Sequence, residues 1–303
     1  MPSPQANELL HDDSFLLQLE ELNPRLMDKS LPPGLHIVAT PIGNLGDLSP
    51  RAAETLKNAA LILVEDTRVT AKLLARIGAK TRMIRYDDHS DEADRDRIVA
   101  LLGEQAVALV SDAGTPLISD PGYKLVRAAR AEGHAVHTVP GPCAAIAAIT
   151  IAGLPTDRFL FLGFLPAKAK ARGDAIAAIA EVRATLILYE GGPRLGDTLL
   201  ALLTKLGPRD AAVVRELTKL HEECVTGNLA ELAKRYADDI PKGEIVIVVG
   251  PPLEAETVSD ERIDQLLDEA LARLSPSRAA AEVAEQLNIP RKRAYARALD
   301  RTK

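Results

Sequence analysis

Residues 108–122, ALVSDAGTPLISDPG, open inside an apolar run, Val107 to Val110, that stops abruptly at Ser111 and Asp112. Gly114, Thr115 and Pro116 follow, and a second break at Asp120, Pro121 and Gly122 precedes a helical pattern from Tyr123. A short apolar run closed by Gly and Pro reads as a buried parallel strand whose C-terminal end opens into a loop. In open α/β sheets the ligand crevice lies at those carboxyl ends. Gly114 lets backbone approach a ligand, Pro116 stiffens the loop, and Ser111, Asp112 and Thr115 offer polar contacts. A plain strand–helix connection would look similar if the loop stood alone.

It does not stand alone. Residues 35–46, LHIVATPIGNLG, repeat the pattern: an apolar strand, then Thr40, Pro41, Gly43 and Asn44. Residues 135–145, AVHTVPGPCAA, repeat it again and feed an Ala-rich helix through Cys143 and Ala144. Three such strand ends on one rim of a parallel sheet make a pocket for a small ligand. No G-x-G-x-x-G follows the first strand, and no G-x-x-x-x-G-K-[ST] occurs, so nothing cradles a pyrophosphate. Cys143 and Cys224 lie far apart and the six histidines show no ligand spacing, which disfavours a metal. A nucleophile elbow, G-x-S-x-G, is missing too.

Seven segments carry a resemblance: 39–52 ATPIGNLGDLSPRA, 64–70 VEDTRVT, 110–126 VSDAGTPLISDPGYKLV, 140–148 PGPCAAIAA, 152–168 AGLPTDRFLFLGFLPAK, 215–223 RELTKLHEE and 242–249 KGEIVIVV. Together they resemble the tetrapyrrole-methylase superfamily of S-adenosylmethionine enzymes. More narrowly, they resemble the ribosomal RNA small-subunit methyltransferase I family, which methylates a cytidine ribose 2′-hydroxyl in 16S rRNA. The resemblance implies two α/β lobes with the cofactor in the cleft between them, a homodimer, and the 30S subunit as partner. It implies cofactor contacts from Thr40, Pro41, Gly43, Asn44, Ser111, Asp112, Ala113, Gly114, Thr115, Pro116, Cys143, Ala144 and Glu190. This chain departs from the family at residues 189–194, YEGGPR, where Pro193 replaces a frequent His and Arg194 keeps the basic position. The segment 86–92, YDDHSDE, keeps His89 but differs around it.

Length and composition agree with that reading. The chain's 303 residues suffice for two cores, and 47% hydrophobic with 26% charged residues is ordinary for a globular protein. Residues 1–33 read as an acidic, proline-punctuated extension, with no basic and apolar halves of a signal peptide. No apolar run approaches the roughly 20 residues that span a bilayer. Two cysteines outside any framework suit a reducing cytoplasm. A net charge of −6 argues against a generic nucleic-acid binder but not against a local basic surface.

The periodicity divides the chain into a first α/β lobe over 34–153, a second over 154–252 and a small helical basic tail over 258–303. First-lobe strands are expected near 35–39, 61–65, 82–85, 107–111 and 135–139. Helices are expected over 49–58, 68–77, 91–102, 121–132 and 142–151. The second lobe should carry strands at 159–163, 185–190, 211–215 and 244–249, with helices at 168–181, 194–205 and 228–238. Alternation of this kind marks α/β architecture. Ser259 to Asp264 reads as a capped helix start, and residues 277–299 read as helix, a turn at Asn288–Pro290, and helix. That tail resembles a helix-turn-helix, with Arg291, Lys292, Arg293 and Arg297 on its recognition helix. Arg194 is a further RNA-contact candidate.

Methyl transfer to a weakly acidic ribose hydroxyl needs donor, methyl and acceptor in line, and a group to relieve the acceptor of its proton. Charged clusters follow apolar strands at Glu65–Arg68 and Arg215–Lys219, and Lys242–Glu244 precedes the last one. Each could be a solvated rim; the match to family motifs singles out Asp66, Arg68, Glu216 and Lys219 as catalytic candidates, with His89 as another. Which of them takes the proton is open at this level. The same fold also methylates tetrapyrroles and a diphthamide precursor. A nucleic-acid-binding regulator with an inactive methylase lobe is the alternative outside enzymes.

Overall fold

Period-two alternation within the buried runs decides how the first sheet is covered. The computed structural model describes residues 31–88, 91–252, 259–287 and 289–302. Its strands β1 (Gly34–Val38), β2 (Leu61–Val64), β3 (Met83–Arg85), β4 (Ala106–Leu109) and β5 (Val136–Val139) form a parallel sheet in the order β3-β2-β4-β1-β5. The helices α1 (Pro50–Asn58), α2 (Thr67–Ile77), α3 (Glu92–Leu101) and α4 (Tyr123–Ala131) make the crossovers. Leu61, Leu63, Val107 and Leu109 point to one face, where Ile98, Leu102, Leu125 and Ala129 cover them. Ile62, Val64, Ala108 and Val110 point to the other, against Ala52, Leu56, Leu73 and Leu74. Burial on both faces is why β2 and β4 are unbroken aliphatic runs. Each fully buried Leu, Ile or Val among them contributes roughly 1.5–3 kcal/mol.

The second sheet is mixed. β6 (Phe159–Phe164), β7 (Thr185–Gly191), β8 (Asp210–Arg215), β9 (Glu223–Asn228) and β10 (Glu244–Val249) lie in the order β6-β7-β10-β8-β9. β6 runs parallel to β7, while β10 runs antiparallel to both β7 and β8, and β8 antiparallel to β9. The helices α6 (Ala169–Ala177), α7 (Leu195–Leu206) and α8 (Leu229–Arg235) belong to the same lobe, and residues of each join the core on one face of the sheet.

The other face of that sheet is covered from the first lobe. Ala145, Ala148, Ile149 and Ala152, from α5 (Ala144–Ile151) and its end, pack on Ile187, Ala212, Val214, Val246 and Val248. Alanine at these positions lets helix and sheet approach closely. The two lobes therefore share a core and form one compact unit ending at Pro252.

The strands and helices expected from the sequence have counterparts within a few residues, with α6 ending early at Ala177. β9 is an addition. Its sequence, ECVTGN, has no apolar run, because it is an edge strand on which few side chains are buried. The second compact unit contains α9 (Asp260–Leu271), α10 (Pro276–Gln286) and α11 (Arg291–Asp300). Ile263, Leu267, Ala279, Val283, Ala294 and Ala298 form its core. Asn288, in the expected turn, lies outside the described residues. Among the described residues no helix is long and apolar enough to cross a membrane.

Candidate active site

Strand order places the ends of β4, β1 and β5 side by side, and their loops are tied together. Thr40 N donates to Gly114 O at 2.8 Å, and Gly114 N donates back to Thr40 O at 3.1 Å. Thr115 Oγ1 donates to Pro142 O at 2.8 Å. The buried Thr40 and Ser111 hydroxyls turn inward, to Ser111 O at 3.3 Å and Gly114 O at 3.3 Å respectively. Gly114 has φ +88°, and a Cβ there would lie 3.1 Å from Ile42 Cγ2 and 3.5 Å from Pro142 O. Glycine is thus required there by backbone conformation and loop packing.

Facing this rim across a cleft are Tyr189 and Glu190 of β7, Val214 and Arg215 of β8, the turn Glu216–Lys219, and Glu244 to Val246 of β10. The cavity measures ≈ 280 Å³. Tyr189 Oη accepts from Ala145 N at 3.1 Å, so the second lobe caps the start of α5. Phe161 and Phe164 stand edge-on to the Tyr189 ring at 4.9 and 5.7 Å. A Cβ on Gly43 would lie 2.7 Å from Lys219 Cγ and 3.0 Å from Leu217 O, so a larger residue would have to displace the Lys219 side chain and crowd the Leu217 carbonyl of the other lobe.

The cleft is acidic. Glu65, Asp112, Asp120, Glu190, Glu216 and Glu244 line it, against the cations Arg215 and Lys219. Both cations are committed, Lys219 Nζ to Glu216 Oε1 at 2.9 Å and Arg215 Nε to Glu223. Burial, with help from Asp120 and Asp112, pushes the Glu65 carboxyl up to about 7. Burial likewise pushes Asp120 up to about 6, against a Ser111 hydroxyl bond that favours its charged form, while Asp112 and Glu244 reinforce the rise. A cavity of this charge fits a sulfonium and an ammonium group and repels a polyphosphate. Among the described residues no cluster of three His, Cys, Asp or Glu side chains could hold a metal ion.

Of the residues expected to hold a cofactor, Asp112, Ala113, Gly114, Thr115, Cys143, Ala144 and Glu190 line the cavity. Thr40, Pro41, Gly43, Asn44, Ser111 and Pro116 stand outside its wall; Thr40 and Ser111 shape it through the bonds above, and Asn44 caps a short helical turn by accepting from Gly46 N at 2.9 Å. Glu216 and Lys219 line the cavity; Asp66 and Arg68 do not. Asp66 is the N-cap of α2, accepting from Arg68 N at 2.8 Å and pairing with the Arg68 guanidinium, which holds its carboxyl down to about 2. Its own N–H donates to Asp112 Oδ1 at 3.1 Å, so this segment reaches the cleft through Glu65 and Asp112. His89 lies outside the described residues.

Arg194 turns inward. Its Nη2 lies 3.1 Å from the buried Glu190 Oε2 and donates to Leu165 O at 2.7 Å. In the second unit, α11 lays a ladder of arginines on α9. Arg293 meets Asp260 at 2.7 Å, Arg297 meets Asp260 and Asp264 at 2.6 Å, and Arg301 meets Asp264 at 3.1 Å and also Asp268. Two of the four cations expected to read RNA, Arg293 and Arg297, thus hold the unit together. Arg291 and Lys292 are exposed, with Arg291 Nη2 donating to Ser277 Oγ at 3.1 Å.

Asp120, Tyr189 and Phe164 line the cavity without having been singled out from the sequence, and Glu65, Arg215 and Glu244, placed there only within charged strand-end clusters, line it too. Glu65 and Asp120 lay inside quoted motifs, at strand-end breaks, and were the legible signal. The aromatics become visible only when β6 and β7 pair.

A parallel sheet and a mixed sheet thus enclose an acidic cleft. The family described as Tetrapyrrole (Corrin/Porphyrin) Methylases matches residues 34–233, and the one described as RsmI C-terminal HTH domain matches 257–302. Among solved structures, uroporphyrin-III-C-methyltransferase from Thermus thermophilus aligns at TM-score 0.51 and 24% identity, over 71% of this chain and 93% of that one. A diphthine synthase aligns at TM-score 0.56 and 16% identity, over 71% and 89%. Ribosomal RNA small subunit methyltransferase I of Erythrobacter litoralis is 55% identical over 89% of this chain and 96% of that protein. Its namesake in Synechocystis is 42% identical over 88% and 97%. The chain belongs to the ribosomal RNA small subunit methyltransferase I family.

Proposed function

We propose that this protein transfers the methyl group of S-adenosylmethionine to the 2′-hydroxyl of a cytidine ribose in 16S rRNA, acting on the decoding region of the 30S subunit. The observation that carries the reading is the ≈ 280 Å³ acidic cleft, floored by the tied loops after β4, β1 and β5. Asp112 to Thr115, Cys143, Ala144 and Glu190 would hold the cofactor there, with Thr40 and Ser111 setting the loop shape. The cofactor supplies an electrophilic methyl on a sulfonium; the protein's part is alignment, water exclusion and proton removal. Glu190 is fixed for cofactor contact by bonds from Thr198 Oγ1 at 2.7 Å and Gly191 N at 2.9 Å. Arg194 then acts by positioning Glu190 rather than by touching RNA. Glu216 and Lys219 pair at the cleft wall, where the acceptor would enter.

Identity of 42–55% to rRNA methyltransferases, against 16–24% to tetrapyrrole and diphthine enzymes, supports RNA over those acceptors. The intact carboxylate-lined cleft supports an enzyme over an inactive regulator. Exposed Arg291 and Lys292 on α11 are the proposed RNA contacts of the second unit. The acting form is proposed to be a cytoplasmic homodimer, supported by the family resemblance and by exposed Ile146, Ile151 and Phe159. The test incubates methyl-labelled cofactor with 30S subunits, naked 16S rRNA, tetrapyrrole precursors and duplex DNA. Label on a cytidine ribose oxygen of 30S subunits is expected; label on a base, or only on a tetrapyrrole, overturns the reading. Light scattering at micromolar concentration checks the dimer, which a monomer mass contradicts.

A further inference from the structure

We infer that Asp120 is the group that takes the proton from the acceptor hydroxyl, an assignment that rests on the transfer to oxygen proposed above. Most other carboxylates around the cleft are already engaged. Asp66 holds Arg68, Glu216 holds Lys219, and Glu190 accepts from Thr198, Gly191 and Arg194. Asp112 accepts from Asp66 N, and Glu244 is exposed. Asp120 is half-buried in the cavity wall and accepts from the Ser111 hydroxyl, but among the described residues no basic side chain pairs with it. A carboxylate without a cation beside it keeps its basicity.

Its position is held from both lobes. The loop carrying it turns through left-handed φ at Leu117 (+74°), Ser119 (+67°) and Gly122 (+129°). Gly122 N donates to Asp88 Oδ1 at 3.1 Å, anchoring the far side. Ser119 Oγ lies 2.8 Å from where a Cβ of Gly163 on β6 would stand, so the loop is seated against the second lobe. The ionisable groups that face Asp120 are Asp112 from its own loop, Glu65 from the end of β2, Glu244 from β10 and the Tyr189 phenol of β7. Burial first, then Asp112 and Glu244, raise Asp120 to about 6 against the Ser111 hydroxyl bond, close to the value at which a general base is both ionised and basic near neutral pH. Glu65, the other carboxyl raised by burial, sits at the end of β2 and already accepts the Asp112 backbone N–H.

In the step, an acceptor oxygen lone pair forms the O–CH₃ bond as the donor's C–S bond breaks, and that bonding pair stays on sulfur. The 2′-O–H proton passes to an Asp120 Oδ. The products are a methyl ether, a neutral thioether and a protonated carboxyl that returns its proton to solvent.

Asp120→Asn keeps shape and removes the base. In the intact chain it should lower turnover on 30S subunits by roughly 10²-fold or more. S-adenosylhomocysteine affinity by calorimetry should stay within about threefold, since tenfold would already be 1.4 kcal/mol. Asp120→Glu should recover part of the turnover. Independently of activity, carbon-13 NMR of aspartate-labelled protein should show a carboxyl titrating near 6 that vanishes in the Asn variant. Turnover within tenfold of wild type overturns the assignment, and so does a parallel loss of S-adenosylhomocysteine binding, which would make Asp120 a cofactor ligand. Should the Asn variant fail to fold, the wild-type profile decides: turnover must fall about tenfold per pH unit below that titration, and a flat profile down to about pH 5 overturns the proposal. A wild-type enzyme that labels no ribose oxygen removes the methylation reading itself, and the assignment with it.

Discussion

Glu65 and Asp66 are chain neighbours with opposite fates. Asp66 caps α2 in solvent beside Arg68 and is held near 2; Glu65 turns into the cleft and is raised to about 7. A carboxyl whose folded pKa is raised binds more protons in the folded state than in the unfolded state. Its penalty is absent below the unfolded value of about 4.5 and complete above about 7. Glu65→Gln should therefore raise the melting temperature by a few degrees at pH 8 and leave it unchanged at pH 4. Equal gains at both pH values would refute the electrostatic account. Gly114 yields a second test. At φ +88°, alanine costs roughly 1–2 kcal/mol in backbone conformation alone, before Ile42 must shift. Gly114→Ala should lower urea stability by that order and loosen S-adenosylhomocysteine, and an unchanged affinity would detach this loop from cofactor binding.

Among the elements, α11 changes meaning most between sequence and structure. Its arginines recur every four residues, and so do the aspartates of α9, so the two helices zip along facing stripes. Arg297→Glu should increase hydrogen exchange across α11, whereas Lys292→Glu should leave exchange unchanged. Lys292→Glu should instead reduce the salt slope of 30S binding by about one unit, the term for one released counterion. Exchange that rises equally in both variants would mean that the ladder is not the clasp. β9 teaches a related lesson: an edge strand is specified by the partner it hydrogen-bonds to, here β8, and its own composition carries little signal.

For the molecule as a whole, the cleft exists because α5 leaves the first sheet and covers the second. The approach of Gly43 to Leu217 and Lys219 sets how near the rims come. Gly43→Val should push the rims apart and weaken S-adenosylhomocysteine about tenfold or more, a loss of at least 1.4 kcal/mol, while each lobe keeps its own core. Calorimetry beside a thermal melt checks both halves of that expectation; full affinity would show that the rims are held elsewhere.

The loops after β1, β4 and β5 and the α/β alternation were readable along the chain, because strand burial and Gly/Pro punctuation are local properties. The family motifs, from ATPIGNLGD to KGEIVIVV, were readable for the same reason. The roles of single charges were not. Asp66, Arg68, Arg194, Arg293 and Arg297 are polar residues in suggestive places, yet each is paired within its own element or with a neighbouring one. Asp120 and Glu65 carry the perturbed carboxyls of the cleft, because burial and like charge come from segments distant in sequence: the β4 loop, the end of β2 and the start of β10. Desolvation and Coulomb energy depend on distance in space, so residue type and order alone could place these side chains near a site but could not say which of them remains a free base.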